Sequence, residues 1–514
     1  MSAPWRNRAF AAHAVGDPDA ARTALLEGGR AILGDSPALQ LRAIVADCAV
    51  DEHAIFAHAA LDVEPHDANA FFNLGVVDQQ MGDVARAHLR YEQALRIDPH
   101  HPGALNNLSD LLRRAHRSEE AWDAIQRYLA LGGNPDGLEI RIAKIADDCG
   151  FVDQARTWFA RAVEREPDSA DIIWEHAIQQ LRDEEFAAGW RGYEQRRGKF
   201  PHEALAIVRY AMPEWDGGAL RGRSLLVHKE QGLGDTIMFA SCLADLPRDG
   251  RALHLAVHPA LTRLFAANFP DAQVWSSLST AQMDDARHQK WLAVAGPIDL
   301  QIPFGSLPLH LRTGGFATPR PYLAPRPEDR EAWRRRLPQL MADAPGNLRA
   351  GIVFSARRNG AQGPGIAEGH SRSLPPHLLY LLDRPDITPG ITWIGLHDRA
   401  NAPEYSAVPH LRIINSSDWI YDLADTAALI AELDVVVAVD TSVAHLAGAM
   451  GKTVLLALPR RGDWRWGRDR RGSYWYGDVE IFRQEREGDW GPVLQAIAGR
   501  LAGMVAARAE VARP

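Results

Sequence analysis

The chain has 514 residues, 46% of them hydrophobic and 24% charged. That is enough for about three folded units and too apolar for a disordered chain. A formal net charge of -9 excludes the basic footprint of a general nucleic-acid binder, and no apolar run of about 18 residues predicts a membrane span. The charge is uneven: residues 1–200 hold 22 Lys and Arg against 32 Asp and Glu, and residues 201–514 hold 35 against 34. Three cysteines, Cys48, Cys149 and Cys242, are too few for a disulfide framework and have no zinc-site spacing. With no signal-peptide pattern at the N-terminus, a cytoplasmic protein is expected.

The first two hundred residues predict paired helices with a period of 34. Ala87, Ala121 and Ala155 keep that spacing, as do Tyr91, Ile125 and Phe159, and Leu74, Leu108 and Ile142. Pro65 and Pro99 keep it as well. In the clearest copy, 68–99, Phe71 and Leu74 lie a turn apart beside small Gly75. Gly82-Asp83 then makes a turn, and Ala87, Tyr91 and Ala94 mark one face of a second helix. These residues resemble the tetratricopeptide repeat, strongly at 68–101, fairly at 102–135 and 136–169, and weakly over 1–65. Such units bury their apolar faces only by stacking. The resemblance implies an α-solenoid, expected over 1–200, that presents a surface to a protein partner. The excess acid suits a basic or amide-rich segment, and equally a solvated face. Phe186, Trp190 and Tyr193 share one helical face and are expected to plug the end of the array.

Beyond residue 200 the pattern alternates. Strands are predicted at 225–229, 252–258 and 297–303, with helices at 236–246 and 260–269 between them. After the charged stretch 325–340 a second set follows. Its strands are at 349–355, 391–397, 411–416, 434–440 and 453–459, and its helices at 425–433 and 441–451. This order predicts two parallel sheets covered by helices, 201–335 and 336–514, facing a cleft. A last helix near 491–507 is expected to cross back over both halves.

Two strand-to-helix junctions hold candidate chemistry. At 227–240, Gln231, Gly232 and Gly234 form a tight loop and Asp235 heads a helix. Asp235 suits an ordinary helix cap, and also a carboxylate pointing into the cleft. At 436–452, Asp440 ends a strand, Thr441 and Ser442 open a helix, and His445 follows one turn in. Free N–H groups and hydroxyls at a helix start suit a phosphate, although a plain capped helix has the same sequence. Arg357, Arg358 and Arg372 flank a glycine-rich loop and suit phosphate by forked hydrogen bonds. Trp464 and Trp466 stand in an arginine-rich run and suit either stacking on a ring or the core of their own loop. No HExxH, P-loop or G-x-S-x-G pattern appears, so neither a catalytic metal nor a serine hydrolase is expected.

Together EQGLGDTIMFA, PFGSLP, the Arg-Ser of GHSRSL, AVDTSVAHLAGAMGKTVLLALP and DWRW resemble the bacterial heptosyltransferases of glycosyltransferase family nine. The resemblance spans about 221–484. It implies a GT-B fold of two Rossmann-like domains and a nucleotide-sugar co-substrate bound mainly by the C-terminal one. It also implies inversion without a metal or other cofactor. Asp235 is then the expected general base. Asp440, Thr441, Ser442 and His445 match the phosphate-binding stretch, with Ser442 where the family has Gly. Arg357 or Arg358 is expected near the phosphates, and the acceptor is expected to be a protein recruited by the repeats, such as flagellin. A saccharide or lipid acceptor, or a non-catalytic adaptor, is the alternative.

Overall fold

The computed structural model describes residues 65–200, 210–277, 293–341, 346–356 and 372–511, with isolated positions before residue 65. The chain divides into two compact units, Met1–Pro167 and Asp168–Pro514.

The described part of the first unit is a stack of helical hairpins. They pair α1 (Ala68–Gln80) with α2 (Val84–Ile97), α3 (Pro102–Arg114) with α4 (Ser118–Ala130), and α5 (Glu139–Asp148) with α6 (Val152–Arg165). The 34-residue alanines Ala87, Ala121 and Ala155 are fully buried, which lets partner helices close up. Gly75 does the same for α1: a Cβ there would lie 2.6 Å from the Tyr91 ring. Burial pushes the Tyr91 phenol up to about 12. It donates to Gln79 Oε1 at 2.8 Å and accepts from Asn107 Nδ2 at 3.1 Å, so successive hairpins share one polar tie.

The hairpin turns share a signature the side chains hide. Gly82, His116, Gly150 and Glu184 all have positive φ (80°, 60°, 80° and 65°) and are spaced by 34. The fourth turn joins α7 (Ala170–Arg182) to α8 (Phe186–Tyr193), where Gly189 and Tyr193 stand in the slots of Ala155 and Phe159. α7 and α8 therefore form a fourth repeat-like hairpin, yet they belong to the second unit. The sequence reading put the array's end near 200. The division comes at 167, because large apolar residues of this hairpin, Trp190 and Tyr193, are buried in the core of the α/β unit.

The second unit holds two wholly parallel sheets. The first has the order β3-β2-β1-β4, from β1 (Leu225–His228), β2 (Leu253–Val257), β3 (Ala272–Ser276) and β4 (Leu300–Pro303). β1 is central, with Leu225 opposite both Leu253 and Leu300. The second has the order β10-β9-β8-β5-β6-β7. It is built from β5 (Leu348–Val353), β6 (Ile391–Gly395), β7 (Ile413–Asn415), β8 (Val435–Val439), β9 (Val454–Leu458) and β10 (Val479–Arg483). β5, β8 and β9 are almost wholly buried and apolar, as strands covered on both faces must be. This is the expected class, helical repeats followed by two Rossmann-like halves. Sequence reading missed β3 and β10, which are half-polar edge strands. The charged stretch between the sheets is a helix, α11 (Pro327–Leu340), numbered after α9 (Leu233–Ala240) and α10 (Pro259–Asn268). Two further helices follow in the second half, α12 (Leu423–Ala431) and α13 (Ser442–Ala449).

The last helix, α14 (Gly491–Val511), corrects an expectation. Its buried Val493, Leu494, Ile497, Ala498 and Leu501 join the core of the second sheet. The two halves are tied elsewhere. Arg263 of α10 bridges to Asp422 at 2.7 Å and to Asp425 at the start of α12, and Arg330 of α11 meets Glu432 at 2.5 Å.

Candidate functional site

In each sheet the chain runs one way from its first strand and then returns to that strand's other side. The reversal falls between β1 and β4 in one sheet and between β5 and β8 in the other. Loops leaving the carboxyl ends of such strands part there and leave a crevice. Both junctions singled out from sequence lie at these reversals.

After β1, Gln231 takes positive φ (56°), an uncommon conformation for a side chain with a Cβ. Gly232 is then the N-cap of α9. Asp235, at the third helical position, accepts from the Gly232 N–H at 3.0 Å through Oδ2. Its other oxygen, Oδ1, accepts from Arg465 Nη2. Asp235 is thus not the N-cap itself but binds back to it from the third position, and its side chain faces a cation from the other half.

After β8, Asp440 is buried. Its Oδ1 accepts from Trp466 Nε1 at 3.0 Å and lies 3.7 Å from His445 Nε2, while Oδ2 faces Arg372 Nη1 at 3.3 Å. Burial alone would raise the carboxyl value. The His445, Arg372 and Trp466 contacts outweigh it and hold Asp440 well below the usual carboxylate range. Thr441 is the N-cap of α13, and its side chain makes no capping hydrogen bond; its hydroxyl donates to Val439 O at 3.2 Å instead. Among the described residues, no N-cap side chain takes up the N-terminal N–H groups of α13. His445 Nδ1 lies 2.8 Å from the Tyr476 hydroxyl, and its ring stacks on Trp466 at 4.9 Å.

The two helix starts touch. A Cβ on Gly234 would lie 2.8 Å from His445 Cδ2 and 3.5 Å from Ser442 Cα. This contact explains Gly234 better than turn geometry does. Gln231, Gly232, Gly234, Asp235, Asp440, Thr441, Ser442, His445 and Arg372 therefore gather in one region. Arg357 and Arg358, just after β5, lie outside the described residues.

Trp464 and Trp466 are buried, 4% and 0% exposed, and they form the core of their own loop. Trp464 packs on Trp190 and Tyr193, at 5.5 and 5.4 Å. Neither tryptophan offers a free ring face here, so the stacking role suggested from sequence has no support.

Sequence reasoning missed Arg465 and Glu230. Arg465 stands in the quoted DWRW motif but looked like one surface arginine among many. Burial would lower its value; Asp235 and Asp463 outweigh that and hold the guanidinium well above its ordinary range. Glu230 is almost fully buried and takes a forked pair from Arg196, Nη2 to Oε1 at 2.8 Å and Nε to Oε2 at 3.1 Å. Gly305 has no room for a side chain, because its Cβ would fall 1.8 Å from Glu230 Oε1. Tyr193 completes this support by donating to Gln231 Oε1 at 3.3 Å and accepting from Gln231 Nε2 at 2.9 Å. The fourth hairpin and the short helical turn after it (Arg196–Lys199) thus brace the β1 loop. At the end of β6, His397 lies buried against Tyr405, and burial pushes its imidazole down to about 4. Neither of its ring nitrogens has a hydrogen-bond partner among the described residues.

Among the described residues no group of three or more His, Cys, Asp or Glu is arranged to hold a metal ion, and no helix is long and apolar enough to cross a membrane.

The fold and site define a repeat protein with two Rossmann-like halves that meet at two helix starts. No family model matches the chain. Protein FlbA of Caulobacter vibrioides is 27% identical over 460 residues, which cover 86% of this chain and 68% of that protein. The E. coli ADP-heptose LPS heptosyltransferase II is similar in structure with a TM-score of 0.41 and 11% identity, over 55% of this chain and 99% of that one. A tetratricopeptide repeat protein from Parabacteroides merdae is similar with a TM-score of 0.27 and 15% identity, over 38% of this chain and 79% of that one.

Proposed function

We propose that the chain is an inverting glycosyltransferase that needs no metal, and that it moves a sugar from a nucleotide-sugar donor to an acceptor hydroxyl. One observation carries the reading: a carboxylate, Asp235, and a helix start, Thr441–Ser442, meet where two parallel sheets reverse their strand order. The half 201–335 would hold the acceptor and the half 336–514 the donor.

The mechanism follows from charge. As the glycosidic bond breaks, the departing phosphate gains negative charge. The N–H groups at the start of α13, the hydroxyls of Thr441 and Ser442, and arginines of the β5 loop would stabilise it. Arg357 and Arg358 are the arginines proposed for this, with Arg372 held near by Asp440. Asp235 would accept the acceptor's proton on the opposite face of the sugar. A single displacement needs no protein nucleophile. In this reading Asp440 has a scaffolding role: it orients Arg372, Trp466 and His445 around the phosphate site.

The acceptor is proposed to be a protein, such as flagellin or another surface-destined protein, recruited by the acidic repeats and modified in the cytoplasm. The test is to incubate the full chain with a panel of nucleotide sugars and candidate acceptors, with and without EDTA, and to read intact mass and nucleotide release. A mass gain insensitive to EDTA supports the reading. Binding of no nucleotide sugar by calorimetry would favour a non-catalytic adaptor. Removal of residues 1–167 should spare donor binding and abolish transfer to the protein. Unchanged transfer would point to a saccharide or lipid acceptor, or to a protein that the repeats do not recruit.

A further inference from the structure

We infer that Arg465 is a positioning residue for Asp235, and that the turn carrying it couples the acceptor side of the site to the donor side. The inference rests on the transferase reading and adds to it a residue that the motif comparison did not assign.

The two residues are 230 positions apart in sequence and come from different sheets. Arg465 Nη2 donates to Asp235 Oδ1 and approaches Gln231 Oε1 at 3.4 Å. Its Nη1 donates to Asp463 Oδ1 at 2.8 Å, and its backbone N–H donates to the same oxygen at 3.0 Å. The guanidinium lies 4.7 Å over the Trp464 ring. Arg465 is therefore fixed on three sides before it meets Asp235, and it acts as a rigid donor. With Gly232 N–H on Oδ2, Asp235 is held at both oxygens. A carboxylate offers about four lone-pair sites, so roughly two remain for an acceptor hydroxyl. The result is a carboxylate with a fixed plane and free acceptor capacity, which is what near-attack geometry needs.

The flanking residues of the turn have separate duties. Trp464 anchors it in the aromatic cluster of Trp190 and Tyr193. Trp466 donates to Asp440 and stacks on His445 at the donor side. Movement at either side is therefore passed through a single turn, Asp463–Trp466. A purely structural ion pair would already be satisfied by Asp463; the reach to Asp235 goes beyond that need.

The test uses the full chain with Arg465→Lys, Arg465→Met and Arg465→Ala. Arg465→Met should lower kcat by about a hundredfold, the scale for a misplaced reacting group, and leave donor affinity by calorimetry nearly unchanged. Arg465→Lys should keep part of the rate, and added guanidinium ion should restore part of it to Arg465→Ala. Hydrogen exchange at the Gly232 amide should quicken in Arg465→Met, since Asp235 is then held at one oxygen only. An Arg465→Met chain that transfers as well as the parent would overturn the inference. So would a loss that lowers donor affinity and melting temperature together and ignores guanidinium. If the parent transfers nothing, the transferase reading fails by itself. The Gly232 exchange rate still decides whether Arg465 positions Asp235, and an unchanged rate would refute it.

Discussion

The junctions after β1 and β8 are built from the same plan and use their carboxylates in opposite ways. Each has a strand end, a short polar loop, a helix start and an Asp. After β1, Asp235 sits inside its helix, binds back to the Gly232 N–H, and remains partly open, with 17% of its side chain exposed. After β8, Asp440 precedes its helix and is turned inward with 6% of its side chain exposed. Neither N-cap residue makes a side-chain capping hydrogen bond, so the two starts differ in where the carboxylate stands, inside the first turn of α9 or ahead of α13. The difference is one of placement: one carboxylate stays partly exposed at a helix start and the other is turned inward to hold its neighbours. In the proposed reading the first serves proton transfer, while the second helix start serves phosphate.

The sharpest way to break this division is to remove each carboxylate. Asp235→Ala should lower transfer by about 10² to 10⁴, the usual worth of a general base, with donor affinity retained. Equal transfer by the variant would mean that Asp235 is not the base.

Asp440→Asn should act on stability instead. Disrupting a buried charge cluster costs about 3–5 kcal/mol at neutral pH, read by urea unfolding. Because the folded-state value of Asp440 is depressed, its contribution is complete above the unfolded value of about 3.9 and fades as pH falls through the lower folded value. The gap between parent and variant should therefore narrow in acid, below about pH 4. A gap that widened in acid would contradict the sign.

Gly234→Ala presses a methyl group on His445 and should cost about 1–3 kcal/mol, with weaker donor binding. A neutral outcome would mean that the helix starts do not bear on each other. The smallest effect is expected from Ser442→Gly. It removes a side chain at the first helical position and should change stability by about 1 kcal/mol or less. A large loss of donor affinity would give the Ser442 hydroxyl a direct phosphate contact.

Much of this was legible in the sequence. The 34-residue period gave the hairpins, since a buried Ala or Gly is needed wherever two helices close up. The buried strands β1, β5, β8 and β9 were plain because strands covered on both faces read as unbroken apolar runs. β3 and β10, with polar residues such as Gln273 and Glu480, lack that run and were missed. The fourth hairpin was half seen: its aromatic face was recognised, but its membership of the second unit was not. Gly189 and Tyr193 hold the repeat positions, yet Trp190 between them finds its partners at Trp464 and Phe239, far along the chain.

The sequence by itself determined the hairpins, the buried strands and the two junctions with Asp235, Asp440 and His445, because local spacing and helix-start chemistry depend on neighbours within a turn or two. Only the tertiary structure decided what each carboxylate faces. Arg465 and Trp466 are adjacent in the chain, but one reaches Asp235 and the other Asp440. Burial then turns an ordinary arginine into a fixed donor and two aromatic rings into anchors. Such roles depend on desolvation and on partners brought from afar, and no local pattern carries that information.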